Sequence, residues 1–320
     1  MSKPRKKTRD MDYRHYRHPR WWPTWVSIGL MRLMAMLPMK LQWRLGSLLG
    51  ELAFRTLKRR RHITETNIQL CFPELNDEER LALVRKSFHS NGIGAMEIGV
   101  AWFRDPEALK HLTSVSGLEH INTALAKGQG ILLLGGHYST LDLGGSLVTL
   151  FIEADVMQRD HNNPLMNAVM TRARQRRYGE VLGNKDLRGL LRKLKANRIV
   201  WYATDQDYGR KGTVFAPFFN VPAASITATA RIAAHSGCAV IPFSHFRHEN
   251  TDKNTVGYDL HFHPPLENFP SGDDLADATL VNQTIEQEIR RHPDQYLWMH
   301  RRFKTRPSRN DPDFYRTTPT

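Results

Sequence analysis

The residues best suited to chemistry in this 320-residue chain are a histidine and an aspartate five positions apart, in His137-Tyr138-Ser139-Thr140-Leu141-Asp142. An imidazole with one nitrogen tied to a carboxylate has a fixed tautomer, and its other nitrogen can take a proton from a reacting hydroxyl. The spacing alone is weak support, because a chain with this many histidines and aspartates contains such a pair by chance. The context adds to it. His137 follows the apolar run 131–134 and two glycines, Gly135 and Gly136, at the carboxyl end of an expected strand, which is where α/β proteins bind ligands. Glycines there let another molecule come close to the backbone. Asp142 falls in the first turn of the following helix. On one continuous helix, residues five apart point about 140° apart; at a strand–loop–helix corner they can meet. The structural alternative makes Asp142 a helix N-terminal residue beside an unrelated histidine, and the residues alone weigh the two readings equally.

Other reactive patterns are missing. The nearest approach to a G-x-S-x-G elbow, Gly144-Gly145-Ser146-Leu147-Val148, lacks its last glycine. No G-x-x-x-x-G-K, no G-x-G-x-x-G after a strand and no H-E-x-x-H occurs. His261 and His263 alternate on one strand face without a third ligand. Cys71 and Cys238 fit no metal or disulfide framework and suit a reducing compartment. No metal and no cofactor are therefore expected.

The elements that must position His137 alternate along the chain. A helix is predicted over 76–103, capped by Asn76 or Asp77 with acids at 77–79 in its first turn. Strands are predicted at 131–134, 154–158, 199–204, 240–245 and 257–263. Helices are predicted from 139 or 140 to near 153 and over 164–178, 186–196, 223–236 and 274–291. The alternation implies an α/β fold with a mixed, largely parallel sheet flanked by helices. Two further polar groups then stand at strand ends: Arg159, and the pair Asp205 and Gln206. Arg159 suits an oxyanion or a substrate phosphate; backbone N–H groups near Gly135 and Gly136 are the other oxyanion donors. Asp205 could organise Arg159 or another arginine, or simply belong to a capped turn. Arg301 and Arg302 could meet substrate phosphates or form a solvated face, and the same holds for Arg174, Arg176 and Arg177.

Charge separates the ends from the body. Residues 1–61 carry 16 Lys/Arg against 3 Asp/Glu, residues 62–289 carry 22 against 26, and residues 290–320 carry 8 against 3. That distribution argues against a nucleic-acid binder, whose basic surface would run through the body. Residues 1–20 read as a solvated basic arm and residues 21–58 as a membrane-associating helical segment ahead of a domain over 59–320. Trp21, Trp22 and Trp25 suit an interfacial belt. Arg17, Arg20 and Lys58–Arg61 suit an anionic leaflet. The apolar stretches from Val26 and from Leu41 are interrupted by Arg32 and Arg44, so a helical hairpin lying in one leaflet is expected rather than a crossing. A soluble helical pair with a basic surface is the alternative.

The stretch GGHYSTLDLGG at 135–145 resembles the H-x-x-x-x-D acyltransferases, specifically the late acyltransferases of lipid A biosynthesis. Further blocks match in order: RRRHITETNIQLCFPEL at 59–75, Met157-Gln158-Arg159, Asn163–Asn167, Asp205-Gln206-Asp207-Tyr208-Gly209, Phe215–Phe219 and Gln295–Lys304. The likeness covers essentially the whole chain. It departs from the family at Gln158, where a tyrosine is common, and at Arg32, inside the anchor. The resemblance implies a glycerol-phosphate-acyltransferase-like fold with an N-terminal apolar helical membrane anchor. It implies transfer of a fatty acyl chain, laurate or myristate, from acyl-acyl carrier protein to a 3-hydroxyacyl hydroxyl of a Kdo-bearing lipid A precursor. The setting would be the cytoplasmic face of the bacterial inner membrane, with the anionic membrane surface and the carrier protein as partners and no nucleic acid. His137 would be the general base and Asp142 its orienter. Two rivals remain: a glycerol-phosphate or lysophospholipid acyltransferase, which usually carries an E-G-T-R-like block absent here, and a non-enzymatic basic peripheral membrane protein.

Overall fold

In a computed structural model, which describes residues 13–250 and 255–316, most helices start where the sequence supplies a cap or a proline. Helix α1 (Trp22–Ala35) has Pro23 in its first turn, and α2 (Met39–Thr56) follows Pro38. After α3 (Lys58–Cys71), Asn76 and Glu79 form a reciprocal capping box that opens α4 (Asp77–Phe103), as its acidic first turn predicts. The α2–α4 crossing is a glycine contact. A Cβ on Gly92 would lie 2.1 Å from the carbonyl oxygen of Gly46, and one on Gly50 would lie 2.3 Å from that of Phe88. The helix backbones therefore touch directly, and α1 and α2 are packed onto the body through α4.

The remaining chain alternates. β1 (Thr113–Ser116), α5 (Leu118–Ala126), β2 (Ile131–Gly135), α6 (Leu141–Val148), β3 (Ala154–Gln158), α7 (Pro164–Gln175), β4 (Val181–Gly183), α8 (Leu187–Lys195) and β5 (Ile199–Ala203) come first. A hairpin of β6 (Thr213–Phe218) and β7 (Val221–Ile226), α9 (Ala228–Ser236), β8 (Ala239–Asn250), β9 (Thr255–Phe262) and α10 (Asp274–Arg291) complete the order. Seven strands form one sheet in the order β1-β9-β8-β2-β5-β3-β4. The five strands from β8 to β4 run parallel. β9 is antiparallel to β8, with β1 parallel to β9. The expected mixed, largely parallel sheet flanked by helices is thus present. β2 at its centre is fully buried along its length, which is why it reads as an unbroken apolar run. One face is covered by α1, α5, α6, α7 and the end of α4; the other carries α3, α8, α9, α10, the hairpin and the C-terminal segment.

Several expectations need correcting. The helix after His137 is shorter than predicted, ending at Val148. The helix predicted over 223–236 is a strand followed by a helix. Its hairpin turns at Phe219 and Asn220, both at positive φ (51° and 60°), and Pro217 faces Pro222 across the ladder. Prolines in both strands and a turn without glycine concealed it. Of the basic arm expected over 1–20, residues 1–12 lie outside the described residues. Residues 13–21 form short 3₁₀ turns stacked on tryptophans: Tyr13 meets Trp25 edge-on at 5.7 Å, and the Trp25 indole donates to the Tyr16 carbonyl at 2.8 Å.

The N-terminal pair is helical, but among the described residues no helix is long and apolar enough to cross a membrane. At 1.5 Å per residue, the 14 residues of α1 extend about 21 Å, short of the roughly 30 Å of a hydrocarbon core. Among the described residues a spanning anchor is therefore not formed.

Candidate active site

His137 and Asp205 meet because their strands are neighbours in register. Gly135 of β2 lies opposite Ala203 of β5. Two residues beyond each partner, at the carboxyl end of the sheet, are His137 and Asp205. Asp205 grips the histidine twice: His137 Nδ1 lies 2.5 Å from Oδ1, and the His137 backbone N–H donates to Oδ2 at 2.8 Å. The Asp205 side chain is fully buried, while His137 keeps 19% of its side-chain surface. Burial disfavours both charges, yet each ion outweighs that cost for the other. The His137 pKa is raised above its ordinary value, with burial opposing and the Asp205 carboxylate prevailing. Asp205, which burial alone would push up, is held at about 2 by the imidazole. With Nδ1 committed to Asp205, Nε2 is the nitrogen left for a substrate.

The glycines before His137 are needed for close approach. A Cβ on Gly135 would lie 2.5 Å from Trp201 Nε1, and one on Gly136 would lie 2.9 Å from the Tyr138 ring.

Asp142 makes no hydrogen bond to His137 in this structure. Its Oδ1 accepts from Arg174 Nη2 at 2.9 Å and from Trp102 Nε1 at 3.3 Å. The reason is geometric. The corner turns Asp142 into α6, facing α4 and α7, whereas β5 delivers a carboxylate straight to the imidazole. Asp142 instead fixes a cation. Arg174 also donates to Gln158 Oε1 at 3.3 Å, and Gln158 Nε2 donates to Thr171 Oγ1 at 2.7 Å. Burial weakens the Arg174 charge, and Asp142 restores it enough to raise the guanidinium pKa.

His137, Asp142 and Arg174 line one cavity of about 250 Å³ with Arg159, Arg177, Trp102, Met170, Tyr178 and Trp201. Arg159 has no hydrogen-bond or ion-pair partner among the described residues. The cavity thus joins a histidine, three guanidiniums and apolar walls. A second, mostly apolar cavity of about 390 Å³ shares Trp102 and Ala173 with it and is rimmed by Arg32, Arg172 and Arg176. Among the described residues, no cluster of His, Cys, Asp or Glu could hold a metal ion.

The other sequence-derived candidates separate. Gln206 follows Asp205 but does not line the cavity. Arg301 pairs with Asp313 at 2.9 Å and stacks on Tyr315. Arg302 is buried, donating to the Ala224 carbonyl at 2.7 Å and to Ser225 Oγ at 2.8 Å beneath the hairpin. Neither lines the cavity, so both hold the C-terminal segment in place. Asp207, to which its sequence context assigns no role, does the same by accepting from the N–H and hydroxyl of Thr305. Arg174, read as part of a basic run, is a cavity residue.

A family model described as bacterial lipid A biosynthesis acyltransferase matches residues 11–305. The chain belongs to that family. It is 41% identical over 291 residues to the lipid A biosynthesis lauroyltransferase of Escherichia coli (strain K12), covering 91% of this chain and 94% of the relative. It is 39% identical to the palmitoleoyltransferase of the same organism, over 92% of this chain and 95% of the relative. The myristoyltransferase of that strain is 26% identical over 91% and 90%. The chain is therefore an acyltransferase of lipid A biosynthesis, as the sequence resemblance implied, and neither the phospholipid acyltransferase nor the non-enzymatic reading stands.

Proposed function

We propose that this enzyme moves a fatty acyl chain from acyl-acyl carrier protein to a 3-hydroxyacyl hydroxyl of a Kdo-bearing lipid A precursor, with His137 as the base and Asp205 as its partner. The observation that carries this is the buried Asp205 carboxylate 2.5 Å from His137 Nδ1 at the edge of a cationic, apolar-walled cavity. His137 Nε2 takes the hydroxyl proton as the oxygen attacks the thioester carbonyl. The tetrahedral oxyanion collapses, the C–S bond breaks, and the departing sulfur takes the proton back from the imidazolium. An activated thioester needs neither metal nor acyl-enzyme. Arg174, pinned by Asp142, and Arg159 supply positive charge for the oxyanion or for a substrate phosphate. Laurate or myristate is the chain this reading assigns. The palmitoleoyl and myristoyl activities named for relatives mark the range to be tested.

The reading extends to the membrane. Trp22, Val26, Leu30 and Leu33 on α1 and Met36 just past its end are all exposed at intervals of four or three residues, and Leu41, Leu48 and Leu52 are exposed on α2. Such a stripe beside Arg17, Arg20 and Lys58–Arg61 favours a helical pair lying on an anionic cytoplasmic leaflet. His137→Ala should lower turnover about 10²- to 10⁴-fold while leaving the protein folded and vesicle-bound. An unchanged rate rejects His137 as the base. Mass spectrometry of lipid A from cells lacking the protein reads the chain as the missing mass.

A further inference from the structure

The loop that carries His137 is held from behind by a polar frame with no contact to the cavity. The chain at 295–297 runs antiparallel to 137–139. Ser139 N–H donates to the Gln295 carbonyl at 2.7 Å, Leu297 N–H donates to the His137 carbonyl at 3.0 Å, and Tyr138 faces Tyr296. Tyr296 Oη also reaches the Asp205 carbonyl at 3.4 Å. This short ribbon therefore touches both members of the proton-transfer pair.

Gln295 ties the ribbon to the sheet. Its Oε1 accepts from Arg247 N–H at 3.0 Å, and its Nε2 donates to the Arg247 carbonyl at 2.8 Å. Gln295 is 6% exposed, so both bonds are buried. The Arg247 guanidinium is in turn gripped by Glu97 through two bonds, at 3.1 and 2.6 Å, and by the carbonyl and hydroxyl of Ser90 at 2.9 and 2.7 Å. Ser90 Oγ lies 2.9 Å from Ser139 Oγ, back on the catalytic loop. The frame closes on itself: Gln295, Arg247, Ser90, Ser139, Gln295. Burying an ion pair such as Glu97–Arg247 carries a desolvation cost and is weak evidence for stability. The bonds it organises all converge on two backbone segments, and those segments hold His137.

We propose that Gln295, braced by the buried Arg247–Glu97 pair, is a positioning residue that sets the His137 imidazole against Asp205. It does not touch substrate. Its effect on the reaction rests on His137 being the base, but its effect on the imidazole does not. The charged and titratable groups around His137 are Asp205 after β5, Asp142 on its own corner, Arg159 after β3, Arg174 on α7, and Tyr296 and His300 from the C-terminal segment. Of these, Asp205 is the group that hydrogen-bonds the imidazole, and the 295–297 ribbon touches the backbone of both partners.

The test is Gln295→Met, which keeps length and bulk but removes both side-chain hydrogen bonds. Two readouts are taken on the full chain: the His137 titration by NMR of the imidazole, and the kinetics of acyl transfer. The expected result is a His137 titration displaced downward toward 6.5, as the Asp205 contact that raises it loosens. With it should come a kcat about ten- to a hundredfold lower, KM within about twofold and an unchanged melting temperature. A His137 titration identical to that of the unmodified protein overturns the proposal, as does a rate loss that only tracks loss of folded protein. Should Gln295→Met fail to fold, Ser90→Ala removes the hydroxyl between Arg247 and Ser139, and the same titration is measured: a downward displacement supports the proposal and an unmoved titration overturns it. Absence of acyl transfer in the unmodified protein would reject the functional reading and leave the titration test standing.

Discussion

Replacing Asp205 by asparagine removes one charge and little volume from the centre of the site. Asp205 is fully buried and His137 mostly so, so their attraction is poorly screened. At an effective dielectric near 20, opposite charges about 4 Å apart attract by about 4 kcal/mol. At about 1.4 kcal/mol per decade, that amounts to roughly three decades of rate. Asparagine can still hydrogen-bond the ring, so the expected loss in kcat is about 10²- to 10³-fold. The pH profile carries a second signature. A base works when neutral, and Asp205 raises the His137 pKa above 6.5, so the rate of the unmodified enzyme should still climb as pH passes 6.5. Without the carboxylate only burial remains, which disfavours the imidazolium, so Asp205→Asn should reach its lower plateau at a lower pH. Asp142→Asn should leave that acid limb in place, because Asp142 holds Arg174. The assay is acyl transfer from acyl-acyl carrier protein to a lipid acceptor across pH, for both variants. An Asp205→Asn enzyme within about threefold of the unmodified rate, with an unmoved acid limb, would refute the pairing.

Three other outcomes are expected. Gly92→Ala should destabilise the protein by about 1–3 kcal/mol, read as a lower melting temperature, because the new methyl would meet the backbone of Gly46 and Gly50 within 2.1–2.5 Å. Gly29→Ala in α1, whose Cβ would meet nothing within 4 Å, should be neutral or slightly stabilising by the same measurement. Binding to anionic vesicles, followed by cosedimentation, should weaken with added salt and fall further in a Leu30→Asp/Leu33→Asp double variant. Salt-insensitive attachment would instead indicate deep insertion.

What the sequence revealed, and what it hid, follows from how local each signal is. The α4 cap, the buried β2 run and the helix over 274–291 are written in contiguous residues and recur in the structure at or near their predicted bounds. The partner of His137 is 68 positions away, so no spacing rule could report it. The legible clue was that Asp205 also follows a strand, and converting that clue into a contact required knowing that β2 and β5 are neighbours. Asp142 is the converse case: it is close in sequence, but the helix start carries it toward Arg174. The inward turn of Arg302 was not legible because a run of basic residues hides which member is buried, here under a hairpin that was itself concealed by Pro217 and Pro222.

The register between β2 and β5 has a consequence for how this site tolerates change. Two adjoining rungs of one ladder bring the imidazole and the carboxylate to the same place, and the cavity rim above them has no part in that. The arginines and apolar walls that line the cavity can therefore be substituted without moving the two strand ends that bring His137 and Asp205 together.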